Sequence, residues 1–123
     1  MSTPVGPYAP AVRAGDWLVC SGQIGIEQGP DGPTLAPGFE AQARQALANV
    51  AAVLWGRELG WGHVVKTTVF LTDMADYAAF NAIYTDVLGI HRPARSVVAV
   101  NALPMAALVE IEAWAYAPEG GRP

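Results

Sequence analysis

The sequence predicts a two-layer α/β sandwich in which a mixed β-sheet carries two helices on one face. Two stretches repeat their apolar residues at helical spacing, and several shorter runs alternate apolar and polar residues as strands do. These segments follow one another in the order βββαβαββ, and a sheet with one apolar face buries that face against helices. The 123 residues have room for one core, so we assign residues 1–123 to a single domain.

The first predicted elements are strands. Residues 11–13 and 17–23 flank the turn-forming pair Gly15-Asp16, which predicts a β-hairpin. The segment from Gln28 to Pro33 is dense in Gly and Pro and is predicted to be a loop. A third strand is predicted near Leu35.

The first helix is predicted from about Phe39 to a stop at Gly60. Its apolar residues recur every three or four positions, which is typical of a helix with one buried face. They are Phe39, Ala43, Ala46, Leu47, Val50, Val53 and Leu54, and the opposite face carries Glu40, Gln42, Arg44 and Gln45.

The second half of the chain adds a strand over 64–71, a helix and two more strands, over 95–100 and 108–116. Thr72-Asp73 offers an N-cap to the helix, and Gly89 ends it. The apolar positions of this helix are Tyr77, Phe80, Tyr84 and Leu88. Residues 118–123 are polar and rich in Gly and Pro, and we expect them to fray.

The composition indicates self-association. Hydrophobic residues make up 52% of the chain and charged residues only 15%, where about 25% charged is ordinary. A small domain has a large surface to cover with polar groups. We therefore expect the chain to bury its excess apolar surface between the subunits of a homo-oligomer.

Charge and cysteine content exclude several classes of function. The net charge of −4 argues against a nucleic-acid partner, because phosphate binding needs a basic face. No apolar run approaches the roughly 18 residues of a membrane span, and no secretory signal is visible. The single cysteine, Cys20, excludes an intrachain disulfide and suits a reducing compartment. We expect a cytoplasmic protein.

Charged residues in apolar surroundings mark the last two strands. Arg95 opens a β-branched run, and Glu110 and Glu112 share one face of the final strand, since alternate residues point the same way. Charges on a buried strand are costly unless they are paired or used. A guanidinium and a carboxylate on two adjacent strands predict a site that binds a small anionic substrate and a water molecule. A structural ion pair between Arg95 and either glutamate is an equal alternative.

Other reactive residues give little signal. Cys20 would lie on the strand face opposite Ser21 and is predicted to be a core residue. His63 and His91 lack the spacing of zinc ligands, and no phosphate loop or dinucleotide motif is present. The predicted site therefore uses neither a metal nor a cofactor.

Eight short segments match one protein family in order and spacing, over nearly the whole chain. Three lie near the C-terminus: Pro93-Ala94-Arg95-Ser96, Leu103-Pro104 and Val109-Glu110-Ile111-Glu112-Ala113. The others are Gly6-Pro7-Tyr8, Ser21-Gly22-Gln23, Gln42-Ala43-Arg44-Gln45-Ala46-Leu47-Ala48-Asn49, Val65-Lys66-Thr67-Thr68-Val69-Phe70-Leu71 and Phe80-Asn81-Ala82-Ile83-Tyr84. Together they resemble the RidA (YjgF/YER057c/UK114) family of enamine/imine deaminases.

This resemblance implies a chorismate-mutase-like fold and a homotrimer, with three sheets forming a central barrel and the sites in clefts between subunits. It also implies that Arg95 binds the substrate carboxylate. Of the two glutamates it favours Glu110 over Glu112 as the catalytic acid or base.

Five further positions are implied to bind the substrate. The side chains of Tyr8, Ser21 and Asn81 fall on family positions that line the pocket. The backbone N–H groups of Gly22 and Val97 are additional donors to a carboxylate.

The implied reaction is hydrolytic deamination of 2-imino or 2-enamino acids, such as 2-iminobutanoate and 2-iminopropanoate, to 2-keto acids and ammonia. Two alternatives stay open: a non-catalytic module that binds keto acids or small carboxylates, and a pathway-specific deaminase of a larger amino-enoate. Val87-Leu88 and the short loop 89–92 depart from the family pattern beside the site motif, which bears on substrate size.

Overall fold

The computed structural model describes residues 6–118, which form a five-stranded sheet, a separate two-stranded ribbon and two α-helices. The strands are β1 (Ala11–Ala14), β2 (Trp17–Gln23), β3 (Ile26–Gly29), β4 (Gly32–Leu35), β5 (Val64–Leu71), β6 (Ala94–Ala99) and β7 (Val109–Tyr116). The helices are α1 (Gly38–Trp55) and α2 (Tyr77–Leu88), and neither is long and apolar enough to cross a membrane. The predicted two-layer α/β class is confirmed. The fraying predicted for residues 118–123 lies outside the described residues, apart from Pro118.

The main sheet has the strand order β1-β2-β7-β5-β6. Its neighbours are antiparallel except β5 and β6, which run parallel and are joined through α2, as a parallel pair requires. The expectation that the strands of Arg95 and Glu110 are adjacent is wrong, because β5 lies between β6 and β7. After β6, the chain passes to the far side of β5, where β7 fills the gap between β5 and β2.

One face of the main sheet is buried beneath both helices. The buried residues of β7 are Val109, Ile111, Ala113 and Ala115, the four predicted to face the core. They belong to one cluster with Leu47 of α1 and Phe80 of α2, both fully buried. Burying a side chain of this size contributes roughly 1.5–3 kcal/mol, so this layer holds the helices on the sheet.

The opposite face of the main sheet, which we call the open face, has none of the described helices packed over it. Glu110 and Glu112 lie there with a cluster of aromatic rings. The ring centroid of Trp17 is 6.1 Å from that of Trp114 and 5.1 Å from that of Tyr116. Trp114 and Tyr116 are each 43% exposed in the single chain. A large exposed apolar patch is unusual on a monomer and marks a contact surface.

The segment from Gln28 to Pro33, predicted as a loop, is a β-hairpin formed by β3 and β4. Gly29 pairs with Gly32 across a two-residue turn, and Gly32 has φ +102°, a conformation that L side chains rarely adopt. The glycines that suggested a loop are thus what permits a tight turn. The element order is therefore ββββαβαββ, and the strand predicted near Leu35 belongs to the ribbon.

Two polar side chains of α1 fix neighbouring segments. Gln42, predicted to be on the outer face, is 5% exposed, and its Oε1 accepts a hydrogen bond from the Leu108 N–H at 2.8 Å. Asn49 donates from Nδ2 to the carbonyl oxygens of Ile24 and Ile26, each at 3.0 Å. Gln42 thereby holds the start of β7, and Asn49 anchors the ribbon.

The helix ends agree only partly with the predictions. α1 ends at Trp55, five residues before Gly60, and the Gly56 N–H bonds to the Ala52 carbonyl at 2.9 Å. Asp73 caps a short 3-10 turn ahead of α2, with its Oδ1 accepting from the Ala75 N–H at 2.9 Å. The predicted stop of α2 at Gly89, where φ is +67°, is confirmed.

Candidate functional site

Arg95 lies on the edge strand β6, and its side chain is on the helix-covered side of the sheet. It pairs in register with Thr67 of β5, which is fully buried, and register partners share a face. The guanidinium carbon lies 4.9 Å from the ring centroid of Tyr84 and 5.8 Å from that of Tyr77. Its Nη2 donates to the Tyr77 hydroxyl at 3.3 Å. Two tyrosines of α2 therefore position the guanidinium.

Arg95 forms no ion pair with a carboxylate of residues 6–118. The alternative of a structural ion pair between Arg95 and Glu110 or Glu112 is therefore wrong for the single chain. Cation–π contacts contribute roughly 0.5–2 kcal/mol but leave the positive charge in place. The charge of Arg95 remains available to an anionic ligand.

A pocket of about 220 Å³ opens beside Arg95. It is lined by Asn81, Tyr84, Thr85, Arg92, Pro93 and Arg95. The Oδ1 atom of Asn81 is buried and has no hydrogen-bond partner among the described residues. Leaving a buried acceptor unsatisfied costs roughly 1–3 kcal/mol, so a rotation of the Asn81 amide that brings Oδ1 to a hydrogen-bond donor on a ligand would recover that cost.

Four residues of the pocket wall were not predicted to belong to the site: Tyr84, Thr85, Arg92 and Pro93. Tyr77, which contacts Arg95 beside the pocket, was not predicted either. The sequence could have indicated the two tyrosines, because positions 77, 81 and 84 lie on one face of α2, which already carries the predicted site residue Asn81. The Tyr84 hydroxyl also lies 2.7 Å from the Thr67 hydroxyl inside the core. Burial raises the pKa of Tyr84, against the opposing effects of this hydrogen bond and of the charges on Arg95 and Arg92. Tyr84 thus serves as a neutral platform beneath Arg95.

Glu110 lies on the open face of β7, in register with Phe70 of β5. A bulge in β2 between Cys20 and Gln23 brings Gly22 against it. A β-carbon at residue 22 would lie 1.9 Å from the Glu110 Oε2 atom, so any side chain there would displace this carboxylate from its present position. Gly22 therefore helps to determine where the Glu110 carboxylate sits.

The surroundings of Glu110 favour a proton-transfer role. Burial, and secondarily the negative charge of Glu112, raise the pKa of Glu110 above its ordinary value of 4.5. General acid–base catalysis is most efficient when the pKa approaches the working pH. A shift of this kind at a partly buried carboxylate is typical of functional sites.

Ser21 connects β2 to the segment that carries Tyr8. Its Oγ donates to the Ala9 carbonyl oxygen at 2.6 Å, and its N–H donates to the Pro10 carbonyl at 2.9 Å. Because the hydroxyl proton is already used, Ser21 can offer a ligand only an acceptor. Tyr8, 41% exposed, stands in the segment that these bonds hold.

The backbone N–H of Val97 points to the free edge of the sheet. The Val100 N–H bonds to the Leu71 carbonyl at 2.8 Å, and in a parallel pair alternate residues of a strand bond to the same neighbour. The N–H groups of Arg95 and Val97 are then directed away from β5. Since β6 is the last strand of the sheet, the Val97 N–H lies on the same free edge as Arg95.

The other reactive residues take no part in this site. Cys20 is 3% exposed, and burial raises its pKa to about 11, so the prediction of a core cysteine is confirmed. The His91 ring bonds to the Val64 carbonyl at 2.8 Å. Within residues 6–118, no three His, Cys, Asp or Glu side chains are grouped so that they could hold a metal ion.

Relatives of known sequence cover nearly the whole chain. Residues 1–117 match the family model described as Endoribonuclease L-PSP. A RutC family protein of Synechocystis is 47% identical over 118 residues, which cover 94% of this chain and 89% of that protein. A Salmonella typhimurium protein named 2-iminobutanoate/2-iminopropanoate deaminase is 42% identical over 114 residues, covering 90% and 88% of the two chains.

Solved structures agree with these matches. RidA from an Antarctic Psychrobacter superposes with a TM-score of 0.88 at 38% identity, covering 94% of this chain and 92% of that chain. TdcF of E. coli, crystallised with bound serine, gives a TM-score of 0.84 at 36% identity, covering 94% and 91%. The sequence motifs, the fold and these relatives lead to one assignment. The chain belongs to the Endoribonuclease L-PSP family, which is also known as the RidA (YjgF/YER057c/UK114) family.

Proposed function

We propose that this protein hydrolyses reactive 2-imino and 2-enamino acids to 2-keto acids and ammonia. The observation that carries the proposal is the pocket lined by Arg95 and Asn81. The guanidinium of Arg95 has no carboxylate partner among residues 6–118, and the buried Oδ1 of Asn81 lacks a hydrogen-bond partner there. A guanidinium binds a carboxylate through two parallel N–H bonds, and Oδ1 would accept a hydrogen bond from the imine nitrogen. The name of the Salmonella relative and the serine bound to TdcF support a small amino-acid-like ligand.

The active unit in this proposal is a homotrimer. Arg95 and Glu110 lie on opposite sides of one sheet, so a single chain does not bring them together. If three open faces pack into a central barrel, Trp114 and Tyr116 become buried. The β6 edge of one subunit can then lie beside Gly22 and Glu110 of the next. The low charge content of the chain supports this arrangement.

The proposed reaction requires one water and one proton carrier. Arg95, with the backbone N–H of Val97, holds the carboxylate so that the C=N carbon faces Glu110 of the neighbouring subunit. Glu110 takes a proton from water as the water oxygen bonds to that carbon, and it returns the proton to the nitrogen. It then takes the hydroxyl proton of the carbinolamine and passes it to the nitrogen. The C–N bond breaks, C=O forms, ammonia leaves and Glu110 is ionised again.

Positioning explains why so few groups suffice. The substrate already hydrolyses in water, and holding a reactant beside a catalytic group can lower a barrier by several kcal/mol, with about 7–11 kcal/mol as the upper range. The proton shuttle adds about 10²–10⁴-fold. The raised pKa of Glu110 suits both halves of the shuttle, because the carboxyl must accept and donate a proton in the same turnover.

The test compares the two glutamates on one strand face. The imine 2-iminobutanoate is generated in situ, and semicarbazide traps whatever escapes the enzyme. Glu110→Gln should lower imine hydrolysis by about 100-fold or more while 2-ketobutyrate still binds. Glu112→Gln is the matched control and should cost far less. If wild-type protein binds 2-ketobutyrate but leaves the trapping rate unchanged, the chain is a carboxylate-binding module and the enzymatic proposal is wrong.

A further inference from the structure

A second guanidinium lines the pocket that contains Arg95. Arg92 stands three residues earlier, in the turn between α2 and β6, and belongs to the same pocket wall. Its Nη1 donates to the carbonyl oxygens of Gly89 and His91. Gly89, at φ +67° and ψ −130°, adopts a conformation that few other residues can. The turn therefore holds Arg92 at the pocket by its own backbone.

The two positive charges of this pocket have no carboxylate partner among residues 6–118. None of the six lining residues carries a carboxylate. Asp86, the acidic residue next to the lining residue Thr85, is engaged by Arg44 at 2.9 Å. The partners of Arg92 and Arg95 are carbonyls, a phenol and aromatic rings, which leave both charges in place. Like charges held together destabilise the empty site and favour a ligand with more than one negative charge.

We propose that this pocket selects 2-imino acids that carry a second carboxylate. Arg95 would bind the carboxylate next to the imine carbon, and Arg92 would bind the one at the other end of the molecule. The pocket of about 220 Å³ is smaller than the roughly 300–1,000 Å³ of drug-sized sites, which fits a short dicarboxylic acid. This inference rests on the proposed function and names its substrate class.

Binding of the two product types tests the inference directly. Calorimetry would compare 2-ketoglutarate, a dicarboxylate, with 2-ketobutyrate, a monocarboxylate. Wild-type protein should bind 2-ketoglutarate at least about tenfold more tightly, a difference of roughly 1.4 kcal/mol. Arg92→Gln should lower this preference by at least about tenfold, because a neutral amide cannot replace a bidentate guanidinium.

The control for net charge is Arg57→Gln. Arg57 donates to the carbonyl oxygen of Ala11 on β1, at the sheet edge opposite β6, so this variant loses one positive charge far from the pocket and should keep the preference. Arg92→Lys keeps the positive charge but lacks the two parallel N–H donors, so it should keep only part of the preference for the dicarboxylate. The same comparison is then repeated with imine hydrolysis, using 2-iminoglutarate and 2-iminobutanoate with semicarbazide trapping.

Failure of this inference and failure of the proposed function are distinguishable. If the wild type hydrolyses 2-iminobutanoate but has no preference for the dicarboxylate, the inference is wrong and the proposed function stands. A preference that Arg92→Gln leaves intact also overturns it. If the protein neither binds nor hydrolyses any of these acids, the proposed function fails as well.

Discussion

Arg95 and Glu110 project from opposite faces of the same β-sheet. Arg95 is in register with the fully buried Thr67, whereas Glu110 is in register with Phe70 on the open face. Arg95 also lies on the edge strand, where a second subunit can approach it. A site that uses both residues is therefore a site between subunits.

Disrupting the open face should separate the subunits. Trp114→Glu places a charge among aromatic rings that the proposed barrel buries, and an unpaired charge is costly to bury. We expect light scattering to report a monomer that has lost imine hydrolysis. Trp55→Glu is the control: Trp55 is 81% exposed but lies at the end of α1, on the other layer, so this variant should stay trimeric. If light scattering gave the same assembly mass for both variants, the proposed packing of the open faces into a barrel would be contradicted.

Replacing the guanidinium of Arg95 by an amine should reduce activity even though the positive charge is kept. Arg95→Lys keeps the positive charge but loses the planar donor pair and the stacking on Tyr84. We expect kcat/KM for 2-iminobutanoate to fall at least about tenfold, or roughly 1.4 kcal/mol. Tyr77→Phe, which removes only the 3.3 Å hydrogen bond to Arg95, should have a smaller effect. Near-normal turnover of Arg95→Lys would mean that the guanidinium does not hold the substrate.

A methyl group at Gly22 should displace Glu110 without unfolding the chain. The clash at 1.9 Å is with the end of a flexible side chain, which can rotate away. Gly22→Ala should therefore keep its melting temperature within a few degrees and lose most imine hydrolysis. Gly62→Ala is the control, since a β-carbon there meets nothing within 4 Å. Full activity of Gly22→Ala would mean that the position of Glu110 is not critical.

The raised pKa of Glu110 predicts a pH-dependent stability. Below its ordinary pKa of 4.5 the carboxyl is protonated in both folded and unfolded chains and costs nothing. Above that value, the unfolded chain loses the proton first, so the wild type loses stability as the pH rises through the raised pKa of the folded state. Glu110→Gln removes this loss and should be more stable than the wild type near neutral pH.

Chemical denaturation from about pH 4 to pH 8 measures this difference. The two stability curves should converge at the acid end. Glu27→Gln, a change at an exposed position of the ribbon, should follow the wild type at every pH. A wild type that is the more stable protein at neutral pH would contradict the assigned direction.

Local patterns in the sequence predicted most elements of this fold. The alternation of β7 and the helical spacing of α1 and α2 each report a buried face, and one buried face is enough to locate a strand or helix. The ribbon was missed because Gly29 and Gly32 indicate a turn without showing that its two arms pair. α1 was predicted too long because Gly60 was expected to end it. The helical spacing of its apolar residues ends at Leu54, and an earlier glycine, Gly56, is the C-cap.

The geometry of the site was less accessible from the sequence. Strand order is a long-range property, and alternation along β6 and β7 cannot show that β5 lies between them. The resemblance to a known family indicated Arg95, Glu110 and Asn81. The burial of the Asn81 Oδ1 and the presence of Arg92 in the pocket depend on how α2 and its following turn pack.

Subunit mixing tests the shared site most directly. Arg95→Ala and Glu110→Gln are each expected to be inactive alone, and they are unfolded and refolded together in equal amounts. Each cleft takes Arg95 from one chain and Glu110 from its neighbour. In randomly mixed trimers, a cleft is intact when a Glu110→Gln chain supplies Arg95 and an Arg95→Ala chain supplies Glu110. About one quarter of the clefts meet this condition.

We therefore predict that the mixture recovers about a quarter of the imine hydrolysis of wild-type protein refolded in the same way, while each variant refolded alone stays inactive. A mixture as inactive as its two components, although mixed trimers have formed, would contradict a site shared between subunits.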